Sequence, residues 1–238
     1  GISMNILAID TANDVLSVAI SKNDKIVAAY TSNIKKDHSS RLMPALVDLM
    51  EEVSLDKEDL QAIVVGNGPG SYTGTRIGVT TAKTLAWALN IPLYPISSLA
   101  MLAYNGVMRK GYIAPFFDAR RQTVFTALYY TDGKGLREVK SERNTPMQAW
   151  LEELKELDEE VILLSPQIEN FAEMIQAENN ENLQIAAETM HLPNPANLIM
   201  LQRAADAVAT HAVTPNYLRI TEAEAKWLAE KKGVSHEG

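Results

Sequence analysis

The chain has 238 residues, a net charge of −8 and no cysteine. The missing cysteine excludes disulfides, thiolate chemistry and cysteine-ligated metal sites. The acidic charge argues against a broad nucleic-acid surface, because general nucleic-acid binders are more often basic. No apolar run approaches the roughly 18 residues of a membrane span, so we expect a cytoplasmic protein with no membrane contact.

The first part of the chain predicts three strands followed by alternating helices and strands. Short apolar or alternating runs predict strands over 4–10, 15–21, 25–32 and 61–66. Helical patterns lie over 38–53, 74–90 and 98–110. Ser39 or Ser40 is the predicted N-cap of the first helix, and Pro44 lies near its first turn, where a missing N–H costs least.

The second part of the chain repeats this order of elements. Strands are predicted over 112–120, 123–131, 135–142 and 161–165, with helices over 145–157 and from about Asn170. Asp10 and Asp118 each end the first strand of a half. A repeat of about 108 residues is too long for a solenoid. We therefore predict an α/β protein of two tandem βββαβα halves with mixed sheets, over 4–97 and 98–220.

The patterns near the end of the chain are weaker. The polar region 176–190 is predicted as a loop or a weak helix, and 194–209 as a helix. A short extended segment follows over 214–220. The final residues, 221–238, are charged and are predicted to form a mobile tail.

The glycine-rich stretch "GNGPGSYTGTRIG" occupies 66–78, between a predicted strand and a predicted helix. Backbone N–H groups at such a helix start bind anions well. The stretch matches neither the Walker pattern nor the dinucleotide fingerprint. Two interpretations remain: a phosphate-binding loop, or a backbone corner that starts the helix close to the sheet. Arg76 lies in the first turn, where the helix dipole disfavours a cation, so it either reaches a carboxylate or ligand or is solvated.

Two helical surfaces suggest contacts with other helices. Gly74, Gly78 and Ala82 recur every four residues, and such small residues permit close approach of another helix. In the first helix the apolar residues cover an arc of about 160°, whereas packing on one sheet needs only about 100°. These residues are Leu42, Met43, Leu46, Val47, Leu49, Met50 and Val53. The wide arc predicts contact on two sides, either with a partner or with a second element of the same chain.

Candidate catalytic residues are few. None of the four histidines belongs to an H-x-x-x-H or H-E-x-x-H pair, so no metal centre is predicted. His38, just before the first helix, is interpreted as a cap or surface residue rather than a base. Asp10 and Asp118 could hold magnesium between the halves, or each could accept N–H bonds within its own turn. The basic pairs at 35–36 and 120–121 are interpreted as solvated.

Four segments carry a resemblance to a known family. "ILAIDTA", "HSSRLMP", "GNGPGSYTGTRIG" and "PNYLR" resemble the TsaB family, also called YeaZ, of bacterial tRNA threonylcarbamoyladenosine (t6A) synthesis, over nearly all of 4–219. The resemblance implies an actin-like (ASKHA) fold, in agreement with the two halves. It also implies a noncatalytic scaffold that pairs with the catalytic subunit TsaD and the ATPase TsaE. Under this interpretation tRNA is reached only through the complex, ATP enters only in the assembled complex, and the chain alone forms a homodimer.

The resemblance also implies which residues carry function. In the family the pairing surface is built from the two helices of the first half, here 40–53 and 74–90. The predicted partner or dimer interface comprises His38, Arg41, Leu42, Met43, Leu46, Val47, Met50, Gly74, Arg76, Gly78 and Ala82. We expect Leu46→Asp to abolish pairing and to leave the fold largely intact. A vestigial nucleotide loop would comprise Asp10, Thr11, Gly68, Gly70, Ser71, Thr73 and Asp118. The alternative function is a magnesium- and ATP-dependent kinase or phosphohydrolase of the actin-like class, which would use the same loop.

Overall fold

A computed structural model of the chain describes residues 4–34 and 37–205. The basic pair 35–36, the extended segment 214–220 and the charged tail 221–238 lie outside the described residues. No helix in the part of the chain that the structure describes is both long enough and apolar enough to cross a membrane.

Two five-stranded sheets form the centre of the fold. The first contains β1 (Ile6–Asp10), β2 (Val15–Lys22), β3 (Lys25–Asn33), β4 (Ala62–Gly66) and β5 (Leu93–Ile96). The second contains β6 (Gly111–Asp118), β7 (Thr123–Thr131), β8 (Leu136–Pro146), β9 (Val161–Leu164) and β10 (Leu183–Ile185). The strand orders, β3-β2-β1-β4-β5 and β8-β7-β6-β9-β10, correspond position by position. In both sheets the hairpin pairs are antiparallel and the remaining pairs are parallel, so the predicted pair of mixed-sheet halves is confirmed.

Six helices pack on these sheets within the described residues. They are α1 (His38–Glu52), α2 (Tyr72–Leu89), α3 (Ser98–Ala103), α4 (Met147–Lys155), α5 (Ala172–Ala177) and α6 (Ala196–Arg203). The apolar sides of α1 and α2 cover one face of the first sheet, while α6 covers the other. The helices α4 and α5 cover one face of the second sheet. Because α3 contributes apolar side chains to clusters on both sheets, it joins the two halves.

Each half continues beyond the predicted six elements with a fifth strand. The strand β5 contains Pro95, a residue that is usually absent from the interior of a sheet because it has no N–H to donate. As β5 is an edge strand, a missing N–H can be tolerated there. The strand β10 lies within 176–190, where only a loop or weak helix was predicted, and the rest of that region is turns and short helical segments. Both strands are short, and their extended form depends on pairing with β4 and β9.

The first helix begins before Ser39 and Ser40, the two residues that we expected to cap it. Asp37 is the N-cap, and its side chain accepts a 3.0 Å hydrogen bond from the backbone N–H of Ser39. The prediction of Ser39 or Ser40 as the cap was therefore wrong. Since α1 starts at His38, Pro44 lies inside the helix, beyond its first turn. The beginning of α1 is thereby fixed beside the turn that joins β1 to β2.

Candidate functional site

The glycine-rich stretch packs against the turn between β1 and β2. Ser71 caps α2 by accepting a 3.0 Å hydrogen bond from the N–H of Gly74, and its own N–H donates to the Ala12 carbonyl at 2.9 Å. A Cβ atom at Gly70 would fall 2.0 Å from that same carbonyl oxygen. Only glycine allows the two backbones to approach this closely. Of the two interpretations of the stretch, the geometry favours the backbone corner.

The hydroxyl of Thr11 bonds to two backbone groups of α2 that lie one turn apart. It donates to the carbonyl of Gly74 at 2.6 Å and accepts from the N–H of Gly78 at 2.9 Å. These are the two groups that pair with each other in a regular α-helix. A Cβ atom at Gly78 would lie 2.5 Å from the Thr11 hydroxyl. The four-residue glycine spacing therefore accommodates Thr11, and the predicted close approach of another helix at these glycines was wrong.

Several of the predicted interface residues lie in the interior of the chain itself. Leu42 and Leu46 are 1% and 2% exposed and belong to the core between α1, α2 and the first sheet. Gly74, Gly78 and Ala82 are also buried within this chain. These five residues therefore do not lie on a surface that a partner could contact. The expectation that Leu46→Asp would spare the fold was wrong, because an unpaired carboxylate in this core is costly.

The other side of α1 is exposed and apolar. Met43 and Val47 are each 49% exposed, and they lie one helical turn apart. Met50 is partly buried against the same core. The wide apolar arc thus divides into a buried side, which holds Leu42 and Leu46, and an outer row of the exposed Met43 and Val47 with the partly buried Met50, which we call the α1 outer row. We expected α1 to make contacts on two sides. The structure shows one of them, which is the contact of its buried side with the core of the first half.

Two polar residues of the predicted interface connect α1 to neighbouring strands. His38 is buried, and its Nε2 lies 2.7 Å from the carbonyl oxygen of Asn13 in the turn after β1. Arg41 donates from Nη2 to the Tyr30 hydroxyl at 2.9 Å and to the Ser32 hydroxyl at 3.3 Å, both on β3. Their contacts hold the start of α1 against the first sheet, so His38 has the cap-region role that its position suggested. Arg76, half-buried on α2, makes contacts of its own within the chain.

A cleft of about 680 Å³ opens between the two halves. Three residues of the predicted nucleotide loop, Gly70, Ser71 and Thr73, line it together with Asp118 from the second half. The other loop residues, Asp10, Thr11 and Gly68, are buried. The charged side chains of the lining are the carboxylates of Asp14, Asp37 and Asp118 and the guanidinium of Arg120. This wall carries more negative than positive charge and would repel phosphate groups.

Asp10 and Asp118 have matching roles in the two halves. The Oδ1 of Asp10 accepts from the N–H of Ala12 at 2.8 Å, and the Oδ1 of Asp118 accepts from the N–H of Arg120, also at 2.8 Å. The second oxygen of Asp118 accepts from the side-chain amide of Asn170. These bonds agree with the second of the two interpretations of Asp10 and Asp118, in which each side chain accepts N–H bonds within its own turn.

The environment of Asp10 does not suit a magnesium ligand. Burial raises the pKa of its carboxyl group, against the opposing effects of the nearby Ser98 hydroxyl and the Ala12 N–H. A Cβ atom at Gly66 would lie 1.8 Å from the Asp10 carboxylate, so the side chain is packed against β4 rather than facing the cleft. Among the described residues, no group of three or more histidine, aspartate or glutamate side chains is arranged to hold a metal ion. Asp10 is therefore not placed to contact a magnesium nucleotide in the cleft.

Sequence reasoning missed one prominent surface residue. Trp87 on α2 is 82% exposed, although tryptophan side chains are highly buried on average. The signal was available, because Thr80 and Thr84 mark the solvent-facing row of α2, and Trp87 continues that row one turn later. Trp87 thus places a large aromatic side chain on the solvent-facing row of α2, beside two threonines.

The fold and the cleft define the class of the protein. Two halves with identical strand order face each other across a cleft, and each contributes the turn after its first strand. This is the architecture of the actin-like class of α/β proteins. A family model described as "TsaD: tRNA N6-adenosine threonylcarbamoyltransferase" matches residues 25–227.

Relatives narrow the class to a family. A Bacillus subtilis (strain 168) protein named "tRNA threonylcarbamoyladenosine biosynthesis protein TsaB" is 44% identical over 229 residues, which are 96% of this chain and 100% of the relative. The Escherichia coli (strain K12) protein of the same name is 35% identical over 135 residues, 56% of this chain and 58% of its own length. The chain belongs to the TsaB family, as its sequence segments predicted.

A solved structure supports the fold. "YeaZ from Pseudomonas aeruginosa" superimposes with a TM-score of 0.74 at 24% identity and covers 90% of this chain and 100% of its own. The shared architecture extends over both halves, in agreement with the full-length match to the Bacillus subtilis relative.

Proposed function

We propose that this chain is a noncatalytic subunit of the t6A synthesis machinery and acts by pairing with a TsaD-type catalytic subunit. Membership of the TsaB family supports the process, because the full-length relative is named for this biosynthesis. The chain matches the TsaD family model, so a TsaD-type protein is expected to share its fold. We infer that the two proteins pair through equivalent helices. The observation that carries the pairing is the α1 outer row.

The α1 outer row has the properties of a contact surface. Met43 and Val47 expose about half of each side chain, while Leu42 and Leu46, roughly 100° away around the helix, anchor it in the core. Because the helix is anchored, the row is rigid before binding and little conformational entropy is lost on association. Burying the exposed half of each side chain contributes about 1 kcal/mol. Such apolar patches on otherwise polar helices mark protein interfaces.

The noncatalytic role is supported by the hydrogen bonds that three polar side chains make within the chain. Asp10, Thr11 and Asp118, which an actin-like enzyme would place at its nucleotide, are bonded into turns and into α2. We infer that the chain alone binds no cofactor and that ATP enters with a TsaE-type ATPase in the assembled complex. We also infer that tRNA is reached through the catalytic subunit, and that the isolated chain pairs with itself through the α1 outer row.

A kinase or phosphohydrolase of the actin-like class is the second candidate. It is favoured by the size of the cleft, which lies within the range of small-molecule sites, and by the position of the α2 N-terminus at its wall. The two candidates differ in what the isolated chain binds. Calorimetric titration with ATP and Mg²⁺ separates them, because an enzyme needs tight nucleotide binding and a scaffold does not.

Light-scattering size-exclusion chromatography with the cognate TsaD-type protein tests the pairing. We expect a mixed complex with the unmodified chain and at least an about tenfold weaker complex with Met43→Glu, because the new carboxylate would have to be desolvated. Met108→Glu is the matched control, since Met108 is 84% exposed on the loop before β6. No complex with the unmodified chain, or equal loss in both variants, would contradict the proposal.

A further inference from the structure

The outer edge of the first sheet is long and apolar. The strand β3 pairs with β2 on one side, and no described residue pairs with its other side. Val27 and Tyr30 on this strand, and Ile34 just after it, are exposed. Natural edge strands are usually blunted by proline, central charges or a short length. The nine residues of β3 contain no proline, and their one charged residue, Lys25, is the first. Such an edge is a template for another strand.

A groove of about 500 Å³ runs between this edge and α1. Its lining residues are Tyr30 on β3 and Ser40, Arg41, Pro44, Ala45, Asp48, Leu49 and Glu52 on α1. Arg41 lies towards the beginning of α1, and Asp48 and Glu52 lie towards its end, while Pro44 and Ala45 occupy the middle. The groove therefore has a basic end, an acidic end and an apolar centre. None of the three charged side chains forms an ion pair with another described residue.

This charge pattern is complementary to itself. A two-fold axis perpendicular to the sheet places α1 antiparallel to the same helix of a second copy. If the axis passes between Pro44 and Ala45, Arg41 of each copy faces Asp48 of the other, because 41 and 48 are equally far from that centre. Pro44 and Ala45 are compact side chains that permit the helices to approach. The same axis brings the two β3 edges together as antiparallel neighbours.

We propose that β3 pairs with β3 of a second copy, which joins the two first sheets into one ten-stranded sheet with Arg41–Asp48 ion pairs between the two α1 helices. This surface is separate from the α1 outer row. At about 100° per residue, the row of Met43 and Val47 lies roughly 140° around the helix from the stripe of Arg41 and Asp48. The edge contact therefore leaves the α1 outer row free, and the inference does not depend on the proposed function.

A charge exchange in the full chain tests this contact. Analytical ultracentrifugation over a range of concentrations is run on chains that all carry Met43→Glu, which removes association through the α1 outer row. We expect these chains to dimerise, and we expect Arg41→Glu or Asp48→Arg alone to weaken the dimer at least about tenfold, since like charges then face each other twice. The double variant Arg41→Glu with Asp48→Arg restores the opposite charges and is expected to recover the dimer.

Three results would overturn the proposal. They are a chain that stays monomeric at every concentration, a dimer that the single exchanges leave unchanged, and single losses that the double exchange does not repair. Thermal unfolding of each variant, followed by circular dichroism, shows whether a loss reflects the contact or the fold. Asp48→Lys serves as a second exchange at the acidic end if Asp48→Arg impairs folding, and it is expected to weaken the dimer in the same direction.

Discussion

The two halves have the same strand order but present different surfaces. In the first half the two helices that follow the hairpins are 15 and 18 residues long, and they expose Met43, Val47 and Trp87. In the second half the corresponding helices have 9 and 6 residues, and α4 buries Trp150 in the core. One topology therefore carries long helices with exposed apolar side chains in the first half and shorter helices in the second.

The exposed side of α4 is polar where that of α1 is apolar. Glu153 on α4 accepts from Lys140 and Arg143 of β8 at 2.8 and 3.1 Å, and Lys155 pairs with Glu178 at 2.9 Å. Such partly exposed ion pairs add little stability, but they keep a surface hydrated. Because the two halves share one topology, the fold alone does not give the position of these exposed apolar residues, which is where we propose that a partner binds.

Leu46→Ala and Val47→Ala test the division of α1 into a buried and an exposed side. We expect Leu46→Ala to lower the free energy of unfolding by about 2–5 kcal/mol, because it leaves a cavity in the core of the first half. Val47→Ala should change it by about 0.5 kcal/mol or less, since the side chain is half exposed. Urea unfolding followed by circular dichroism measures both. Similar losses in the two variants would show that the buried side has been assigned incorrectly.

Thr11→Val tests a feature that distinguishes the first hairpin turn from the second. The substitution keeps the shape of the side chain and removes the hydroxyl that joins the carbonyl of Gly74 to the N–H of Gly78. We expect a loss of about 1–3 kcal/mol in the free energy of unfolding, because buried polar groups lose a partner. Thr80→Val, at an exposed position on α2, is the matched control in the same urea titration. Equal effects in the two variants would show that the bridge contributes nothing specific.

Much of the fold could be predicted from the sequence, because the signals for it are local. Alternating strands joined by short polar turns revealed both hairpins, and the recurrence of Asp10 and Asp118 revealed the two halves. The short strands β5 and β10 could not be predicted, because their extended form depends on pairing with β4 and β9. Pro95 within β5 also argued against a strand there.

The candidate site could be predicted only in outline. Helical periodicity gave the width of the apolar arc on α1 but not which part of it faces the sheet, so Leu46 and Met43 were grouped together. The four-residue spacing of Gly74 and Gly78 suits a helix–helix contact and the Thr11 bridge equally well. Deciding between them requires knowing where the turn after β1 lies, and that is a long-range property of the fold.

Methionine methyl NMR of the chain with and without the cognate TsaD-type protein is the most direct test of where the partner binds. The methionines provide internal references, because Met43 and Met50 lie on the α1 outer row, Met108 is exposed elsewhere and Met147 is buried. We expect the Met43 and Met50 signals to shift or broaden in the complex while those of Met108 and Met147 stay in place. Unchanged Met43 and Met50 signals in a complex that demonstrably forms would show that the partner binds elsewhere.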